Sequence, residues 1–443
     1  MKTIESYIKL NAKLYGNKIA VVCGDRQCTY AELDNMVNQK VNHLKETPIR
    51  KGDIVTIRSS QTIDFLVYYF ALHRYGCVAA PLESDIPESH FQEITTWLAN
   101  CSVPVDSADI LYTTGTTGKS KGVIVSHRAI VANAENLIDS QGFCHDLTFI
   151  INGPLNHIGS LSKVYPIMML GATLIIIEGM KDVNRFFDAL DYPASKMATF
   201  LVPASIRILV QFCSDRFASY KNKIDFIETG AAPITQTDMQ ELCKILPKSR
   251  LYNTYASTET GIISTYNFND GKCIKGCLGK TMKHSKIIIT PEGLIACQGA
   301  TLMTGYVGDP EQTNRILQNN TIFTQDIGKI DKDGMLHLTG RQDDVINVGG
   351  FKVSPTEVEN IVMALPEIVD CICIAVPHPI IGTALKLLVV MDRGYSMDKK
   401  EIARFIKSKA ESYKVPLFYE VVESIRKTYN GKIDRKYYRQ KVE

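Results

Sequence analysis

Eleven consecutive residues, from Tyr112 to Gly122, carry a high density of groups that bind anions. They include three glycines, five serine or threonine hydroxyls and two lysines. Glycines let backbone N–H groups approach an oxyanion closely, and hydroxyl and ammonium groups then complete the cradle around phosphate oxygens. The residue types therefore favour a phosphate-binding loop over a solvated surface turn.

A Walker P-loop is the main alternative, because Gly118-Lys119-Ser120 ends like one. That motif requires a glycine five residues before Gly118, where Thr113 stands, and a helix directly after its lysine. Here Gly122 opens an apolar, β-branched run that predicts a strand, and the next helix is expected only after Ser126. We therefore expect no helix-dipole phosphate site of the P-loop kind.

The segment resembles the phosphate loop of the adenylate-forming superfamily, which includes acyl-CoA synthetases, peptide-synthetase adenylation domains and luciferases. The family pattern is a Ser/Thr-Gly-Thr-Thr-Gly core followed by Pro-Lys-Gly. Ser120 stands where the proline is usual, and Lys121 matches the lysine. The resemblance implies that ATP is bound by Thr113, Thr114, Gly115, Thr116, Thr117, Gly118 and Lys121.

Two further segments resemble the family's adenine site, in the order the family requires. Gly230-Ala231-Ala232-Pro233 is similar to the turn beside the adenine, and Tyr252 to Glu259 resembles the Tyr-Gly-x-Thr-Glu segment. The resemblance implies that Tyr255 stacks on adenine, that Asn253 lies along its edge, and that Thr254 belongs to the same nucleotide-binding segment.

The end of the second segment would meet the reacting groups. By the same resemblance Thr258 touches the α-phosphate and Glu259 binds Mg²⁺, a role that suits a hard oxygen ligand. Without the resemblance, Thr258-Glu259 would be an ordinary helix start. Ala256 replaces a common glycine, which would narrow the acyl pocket.

Four residues nearer the C-terminus complete the resemblance. Asp326 matches the aspartate that accepts hydrogen bonds from the ribose, Arg341 would contact ribose or phosphate, and Asp343 would be the hinge residue. Lys432, in a Gly-Lys-Ile-Asp-Arg segment, would be the catalytic lysine. A cation placed between an attacking carboxylate and the ATP phosphates lowers their repulsion.

The acyl pocket is expected beside Asn152 to Gly159, which resembles the family's Pro-x-x-His segment. His157 would line the channel near the carboxylate, or it is a packed core histidine. Members that activate amino acids usually carry an aspartate where Ile158 stands, and a buried ammonium without such a partner is costly. Ile158 therefore favours an acid with an uncharged acyl or aryl tail.

Alternating strand and helix patterns predict an α/β fold with mostly parallel sheets, in which a large domain, residues 1–341, positions these segments. A small mobile α+β domain, 342–443, would carry the catalytic lysine. Capping boxes are expected at Thr29 and Glu32, and at Ser354 and Glu357. About thirty residues separate Leu82 from Tyr112, whereas this stretch is longer in typical members of the family. The large domain is therefore expected to be trimmed before the phosphate loop.

Composition excludes several other classes of protein. The 443 residues are 45% hydrophobic and 22% charged with a net charge of +3, which suggests neither a nucleic-acid nor a membrane partner. No apolar run is long enough to span a bilayer, and the N-terminus lacks a signal-peptide core. Twelve cysteines in so long a chain need not form disulfides, so a reducing cytoplasm is expected.

These features predict an enzyme that uses ATP and Mg²⁺ to convert a small carboxylic acid into an acyl-adenylate. The acyl group would then pass to the thiol of coenzyme A. One alternative acceptor is the phosphopantetheine arm of an acyl-carrier protein, since no basic cluster decides for the coenzyme A nucleotide. A non-catalytic nucleotide-binding protein is the alternative of another class.

Overall fold

The computed structural model describes residues 3–113, 121–348, 351–379, 382–428 and 432–440. The first half of the chain alternates strands with helices. In chain order its elements are α1 (Ile4–Leu14), β1 (Ile19–Cys23), β2 (Arg26–Thr29), α2 (Tyr30–Lys45), β3 (Ile54–Ser59), α3 (Ile63–Tyr75), β4 (Val78–Glu83), α4 (Glu88–Ala99), β5 (Ser107–Thr113), β6 (Lys121–Ser126), α5 (His127–Gln141), β7 (Leu147–Ile151), α6 (Ile158–Leu170), β8 (Thr173–Ile176), α7 (Val183–Asp191), β9 (Lys196–Phe200), α8 (Pro203–Phe212), α9 (Ser214–Ala218), β10 (Ile224–Thr229) and α10 (Gln236–Ile245).

The second half contains more strand than helix. Its elements are β11 (Arg250–Ser257), β12 (Gly261–Asn267), β13 (Cys277–Thr281), β14 (Ser285–Ile289), β15 (Leu294–Gly299), β16 (Gly305–Tyr306), α11 (Pro310–Ile316), β17 (Leu317–Gln318), β18 (Thr321–Ile330), β19 (Leu336–Arg341), a 3₁₀ turn (Gln342–Asp344), β20 (Ile346–Val348), β21 (Phe351–Val353), α12 (Pro355–Val362), β22 (Ile368–His378), β23 (Gly382–Met391), α13 (Lys399–Lys409), a second 3₁₀ turn (Ser412–Lys414), β24 (Phe418–Val421) and α14 (Arg435–Gln440).

Two sheets support the first 341 residues. The larger sheet has the order β14-β15-β18-β19-β13-β12-β11-β10-β9-β7-β8-β1-β2, with β17 beside β18. Its centre, from β11 through β10, β9 and β7 to β8, is parallel, whereas β12 and β13 pair antiparallel. The smaller sheet has the order β16-β6-β5-β4-β3. The predicted α/β fold class is confirmed, with mixed sheets.

The hairpin of β5 and β6 bears out the expected chain path around the phosphate loop. These strands pair antiparallel, with Thr113 opposite Lys121. Helix α5 begins only after Ser126, whose hydroxyl accepts the N–H of Ala129 at 3.1 Å as an N-cap. A strand therefore follows the glycine-rich segment, and the Walker alternative is excluded because its helix is missing at that place.

One of the two predicted capping boxes forms and the other does not. At the start of α2, the side chains of Thr29 and Glu32 bond reciprocally to backbone N–H groups. At the start of α12, Ser354 makes no side-chain cap hydrogen bond, and its hydroxyl instead contacts the carbonyl of Thr339 at 3.3 Å. Glu357 pairs with Lys414 at 2.7 Å. Tertiary partners thus displaced the local capping pattern.

Residues from Ile346 to Tyr438, here called the C-terminal unit, have a hydrophobic core of their own. Val353, Val358 and Leu387 are fully buried in it, as are the predicted core residues Cys371 and Cys373. Strands β22, β23 and β24 form its sheet. A hydrogen bond from Lys275 Nζ to the carbonyl of Asn360 joins it to the rest of the chain. The boundary at 341/342 stays a prediction.

No helix in the described part of the chain is long and apolar enough to cross a membrane.

A buried polar cluster is centred on Asp109, which lies in β5. Asp109 accepts hydrogen bonds from Tyr69 at 2.8 Å and Tyr165 at 3.2 Å, and its other oxygen lies 2.9 Å from Nε2 of His73. Burial lowers the pKa of His73, but the Asp109 carboxylate outweighs that effect, and the pKa is raised. The folded state therefore favours the imidazolium.

This cluster predicts a pH dependence of stability. Because the pKa of His73 is higher in the folded chain, its contribution is complete below the unfolded value of about 6.5 and is lost as pH rises through the folded value. We expect His73→Gln to remove that decline. The loss is about 1.4 kcal/mol for each unit of pKa difference. Urea unfolding at pH 6 and pH 8 measures it.

His127, whose ring lies 5.0 Å from that of His73, opposes the trend because burial lowers its pKa. The comparison is therefore between the pH slopes of variant and wild type. Replacing exposed His43 by glutamine is the control and should leave the slope unchanged. Equal slopes in His73→Gln and wild type would contradict the assignment.

Candidate active site

The two described ends of the predicted phosphate loop lie at the mouth of the β5–β6 hairpin. Thr113 ends β5 and Lys121 begins β6, and the two are register partners. The predicted ligands Thr114, Gly115, Thr116, Thr117 and Gly118 lie outside the described residues. The hairpin therefore brings the first and last residues of the predicted loop to one place.

Tyr306 connects this mouth with the predicted magnesium ligand. The ammonium of Lys121 lies 5.3 Å from the centroid of the Tyr306 ring, and the Tyr306 hydroxyl donates to Oε1 of Glu259 at 2.9 Å. Burial and the Glu259 carboxylate raise the pKa of Tyr306, so it stays a donor. Tyr306 was not among the predicted site residues, because the two-residue strand β16 that positions it carries no local sequence pattern.

Thr258 and Glu259 lie in the turn that joins β11 to β12, which is a hairpin and not a helix start. Reciprocal hydrogen bonds between Ser257 and Thr260 close the turn, and the N–H of Met303 donates to the carbonyl of Glu259 at 2.8 Å. The backbone of Glu259 is thus held on both sides. The turn points this carboxylate toward Tyr306.

Three predicted nucleotide-binding residues contact one another across β11, β18 and β19. The hydroxyl of Tyr255 donates to Oδ2 of Asp326 at 2.7 Å, and Nε of Arg341 forms an ion pair with Oδ1 of Asp326 at 3.1 Å. Asp326 and Arg341 are register partners in adjacent strands. Burial and Asp326 raise the pKa of Tyr255, which keeps its proton. The carboxylate is held between a donor and a cation.

The predicted adenine turn, Gly230 to Pro233, follows β10 and lies against the end of β11. A Cβ on Gly230 would stand 2.9 Å from the carbonyl oxygen of Thr254, so only glycine allows this approach. Ala231 has a φ of 66°, the left-handed region that non-glycine residues seldom occupy. Such strain often accompanies a binding site.

Asn253 and Thr254 use their side chains within the protein. The amide N–H of Asn253 donates to the carbonyl of Cys277 at 3.0 Å, and the hydroxyl of Thr254 lies 3.0 Å from that of Thr265. Gln141 also contacts the Thr254 hydroxyl, at 3.2 Å. Their predicted nucleotide contacts remain predictions.

The predicted acyl pocket begins where α6 starts. His157 is the N-cap position of α6, and its Nε2 is buried with no hydrogen-bond partner among the described residues. Burial is the main cause that lowers its pKa, opposed by nearby Glu83. Ile158 and Ala256 are partly buried against the main core. The His157 imidazole therefore lies at the start of α6, where burial favours its neutral form and its Nε2 has no partner among the described residues.

Hydrogen bonds hold the segment that precedes His157. Asn152 donates to the carbonyl of Phe200 at 3.0 Å, and Gln61 donates to that of Gly153 at 3.1 Å. Ser59 donates to Asn156 at 3.0 Å. The segment is thereby tied to both sheets, which fixes the start of α6 relative to the strand ends.

Lys432 belongs to the C-terminal unit and is predicted to be the catalytic lysine. Its carbonyl accepts the N–H of Thr428 at 2.7 Å, and Lys427 pairs with Ile433 in an antiparallel bridge. The ammonium has no hydrogen-bond partner in the described part of the chain, but it interacts electrostatically with Arg341, Asp326, Glu259 and His157. Residues predicted from distant parts of the sequence thus lie within electrostatic range of one another.

The environment of Lys432 predicts the alkaline limb of the pH–rate profile. Desolvation, aided by Arg341, lowers its pKa from 10.5 against the opposing carboxylates of Asp326 and Glu259. If the protonated form assists adenylation, the rate should fall at a pH below 10.5 as the proton is lost. Measuring kcat for pyrophosphate release between pH 7 and 10.5 locates that limb.

Lys432→Arg is the matched variant for this profile, because guanidinium stays protonated throughout the range. Its alkaline limb should move upward even if its rate is lower. A limb at the same pH in both proteins would assign the titration to another group.

The residues present fit a magnesium ion bound together with a nucleotide. Mg²⁺ is held in many sites by one or two carboxylates, substrate phosphates and water. The described residues contain no cluster of three or more histidine, cysteine or acidic side chains that could hold a metal. Glu259, beside the mouth of the hairpin, would supply the one carboxylate that a magnesium ion bound to phosphates requires. Such an ion would neutralise phosphate charge.

Sequence profiles match most of the chain. The profile of the AMP-binding enzyme family matches residues 8–105 and 95–307, and that of the AMP-binding enzyme C-terminal domain matches 357–432. The two matches of the first profile overlap at residues 95–105, within the stretch between Leu82 and Tyr112.

Curated relatives are similar over nearly the full length. The probable CoA ligase CCL9 of Humulus lupulus is 24% identical over 503 residues, covering 98% of this chain and 95% of that protein. Feruloyl-CoA synthase of Amycolatopsis is 25% identical over 478 residues, covering 95% of each chain.

Solved structures share the fold. ATP-bound MatB from Rhodopseudomonas palustris superposes with a TM-score of 0.87 at 23% identity, covering 99% of both chains. NpsA of Klebsiella oxytoca, in complex with 3-hydroxyanthranilyl-AMSN, has a TM-score of 0.86 at 18% identity and covers 100% of this chain and 99% of its own. The family resemblance and the ligase class predicted from the sequence are thus confirmed, and the chain belongs to the AMP-binding enzyme family.

Proposed function

We propose that the protein activates a small carboxylic acid with ATP, forming an acyl-adenylate and pyrophosphate, and then transfers the acyl group to the thiol of coenzyme A. The named CoA ligases among its relatives support this reaction class. The observation that carries the proposal is that Lys432 lies in the electrostatic field of Glu259, Asp326 and Arg341, the last two of which form an ion pair at 3.1 Å.

The predicted site residues would have complementary tasks in the first step, the formation of the acyl-adenylate. The ribose would be bound by Asp326, which Tyr255 and Arg341 already hold in place. Lys121 and the loop before it would bind the phosphates. Lys432 would lie between the attacking carboxylate and the α-phosphate, where it would stabilise the charge that develops in the transition state.

The second step requires Lys432 to leave, since a thiol must reach the adenylate. We propose that residues 342–443 move as a domain about Asp343, which lies in the 3₁₀ turn between β19 and β20. Domain closure and rotation of this kind use a few residues at element ends as hinges. His157 lies at the start of α6, where it could line the acyl or thiol channel, and its Nε2 has no hydrogen-bond partner among the described residues.

The acid is proposed to have an uncharged tail. Ile158 stands where amino-acid-activating members carry a carboxylate. An ammonium there would be buried without a partner, which is costly. We therefore expect aryl or acyl acids as substrates rather than α-amino acids.

Trapping with hydroxylamine over a panel of aryl, fatty and amino acids tests the first step, because acyl-adenylates yield hydroxamates. Pyrophosphate release should accompany the reaction with at least one acid. ATP binding without pyrophosphate release across the panel would overturn the proposal in favour of a non-catalytic nucleotide-binding protein.

A second assay identifies the acceptor. The active acid is incubated with coenzyme A or with a phosphopantetheinylated carrier protein, and thioesters are separated by mass. A thioester formed only on the carrier would contradict coenzyme A as the acceptor while leaving the adenylation step intact.

A further inference from the structure

A buried ion pair lies between α6 and β10. Lys163 Nζ is 2.8 Å from Oε1 of Glu228, and each side chain is only 1% exposed. Removing two charges from water costs more than such a pair commonly returns, and apolar residues of the same volume often serve stability as well or better. A role beyond stability would explain its presence.

The pair lies behind the predicted acyl pocket. Gly159 and Lys163 are one helical turn apart on α6 and so share a face. Glu228 and Gly230 are two residues apart, at the carboxyl end of β10. A Cβ on Gly159 would lie 3.4 Å from the ring of Phe200, and one on Gly230 would lie 3.7 Å from it.

Phe200 therefore connects both glycines with the ion pair, since Lys163 Nζ lies 5.3 Å from its ring centroid. Phe200 itself ends β9, a parallel neighbour of β10. Ligands of open α/β sheets bind at the carboxyl ends of parallel strands. The location of the pair is thus that of a substrate tail.

The pair retains unused hydrogen-bonding capacity. Oε2 of Glu228 is enclosed and has no hydrogen-bond partner among the described residues. The ammonium of Lys163 has three N–H donors, and Oε1 of Glu228 is its hydrogen-bond acceptor in the described part of the chain. Leaving a buried acceptor unsatisfied is unfavourable. A ligand group that both donates and accepts would satisfy the two together.

Charge restricts what that group is. Lys163 and Glu228 already neutralise each other, so a carboxylate or ammonium on the tail would leave a net charge buried. A hydroxyl fits, because it accepts from Nζ and donates to Oε2 without adding charge. We propose that Lys163 and Glu228 form a specificity site for a hydroxyl group on the tail of the acid.

Helix geometry sets the distance of this hydroxyl from the reacting carboxyl. Lys163 is six positions after His157, and six positions correspond to a rise of ~9 Å along a helix axis. Acids with a hydroxyl at the far end of a ring or a chain of medium length match that distance. The inference rests on the proposed adenylation activity, because it describes the tail of the same substrate.

Matched pairs of acids test the proposal with the whole protein. Adenylation is measured as pyrophosphate release for benzoic and 4-hydroxybenzoic, cinnamic and 4-hydroxycinnamic, and octanoic and 8-hydroxyoctanoic acid. Wild type should favour the hydroxylated member of at least one pair by ~10⁴-fold in kcat/KM, since a site built to hydrogen-bond a hydroxyl rejects analogues that lack it. Equal values, or preference for the plain acid in all pairs, would overturn the proposal.

Variants then test whether Lys163 and Glu228 cause the preference for the hydroxylated acid, measured as the ratio of the two kcat/KM values. Lys163→Met with Glu228→Met replaces the pair by apolar side chains of similar volume, and the ratio should fall to near 1. Lys163→Met with Glu228→Gln keeps one neutral hydrogen-bonding group and should recover part of the ratio. Glu241→Met with Lys244→Met removes an exposed ion pair as the control and should keep the wild-type ratio.

The outcomes separate this inference from the proposed function. No adenylation of any acid by wild type contradicts the activity itself. An active wild type with a preference that persists in the folded Met–Met variant contradicts only the specificity site. If that variant does not fold, a wild-type ratio near 1 contradicts the site, and an intermediate ratio in the Met–Gln variant supports it.

Discussion

Replacing Lys432 with alanine is expected to slow acyl-adenylate formation by ~10²-fold or more, the scale of losing one preorganised charge stabiliser. The ammonium has no acceptor within hydrogen-bonding distance among the described residues, yet it lies in the field of Asp326 and Glu259. It therefore has free donors to offer an anionic substrate. ATP–pyrophosphate exchange with a substrate acid measures the loss.

The second half-reaction supplies the internal control for this variant. Thioester formation started from synthetic acyl-adenylate should survive largely intact, because the proposed rotation removes Lys432 from the reacting groups in that step. Lys436→Ala, which removes an exposed lysine from α14, should leave both half-reactions near wild type. Near-normal exchange in Lys432→Ala would remove this lysine from the mechanism.

Proline at position 343 is expected to divide the half-reactions the other way. Residue 343 lies in a single 3₁₀ turn, in which the N–H of Val345 donates to the carbonyl of Gln342. Proline fixes its own φ and restricts the preceding residue as well, so the hinge would lose the freedom to rotate. Thioester formation should fall on the order of 10²-fold, the effect of a misplaced reacting group, while adenylation is retained.

Asp343→Ala is the matched control, because it removes the side chain and leaves the backbone free to turn. Both half-reactions should remain in that variant. Stopped-flow or quenched assays with separate substrates for each step measure the division. An equal loss of both half-reactions in Asp343→Pro would argue for local misfolding rather than a hinge.

Ion pairs between the 3₁₀ turn and α14 support this choice of hinge. Asp344, the next residue, forms ion pairs with Arg435 at 3.2 Å and Arg439 at 2.6 Å, and Arg435 also contacts Glu359 at 2.6 Å. The segment that carries Lys432 is thereby tied to the turn that would rotate. Movement of the turn would therefore carry the lysine with it.

Local patterns in the sequence were reliable where neighbours in the chain decide the structure. The capping box at Thr29 and Glu32, the helix that begins after Ser126 and the strand after the glycine-rich segment follow from residues within a few positions of each other. The order of the family segments also required no coordinates. Ser354 shows the limit of such patterns, because a tertiary contact with Thr339 took the place of its expected cap.

The sequence by itself determined which residue types are available: a loop rich in glycines and hydroxyls, carboxylates at positions 259 and 326, and a lysine near the C-terminus. Only the tertiary structure decided which side chains meet, since Tyr255 and Asp326 are 71 residues apart, Tyr306 and Glu259 are 47 apart, and Lys163 and Glu228 are 65 apart. Such contacts depend on strand order and on burial, and neither is encoded by spacing along the chain. A polar residue in an apolar helix gives no sign of its partner until the sheet brings the two together.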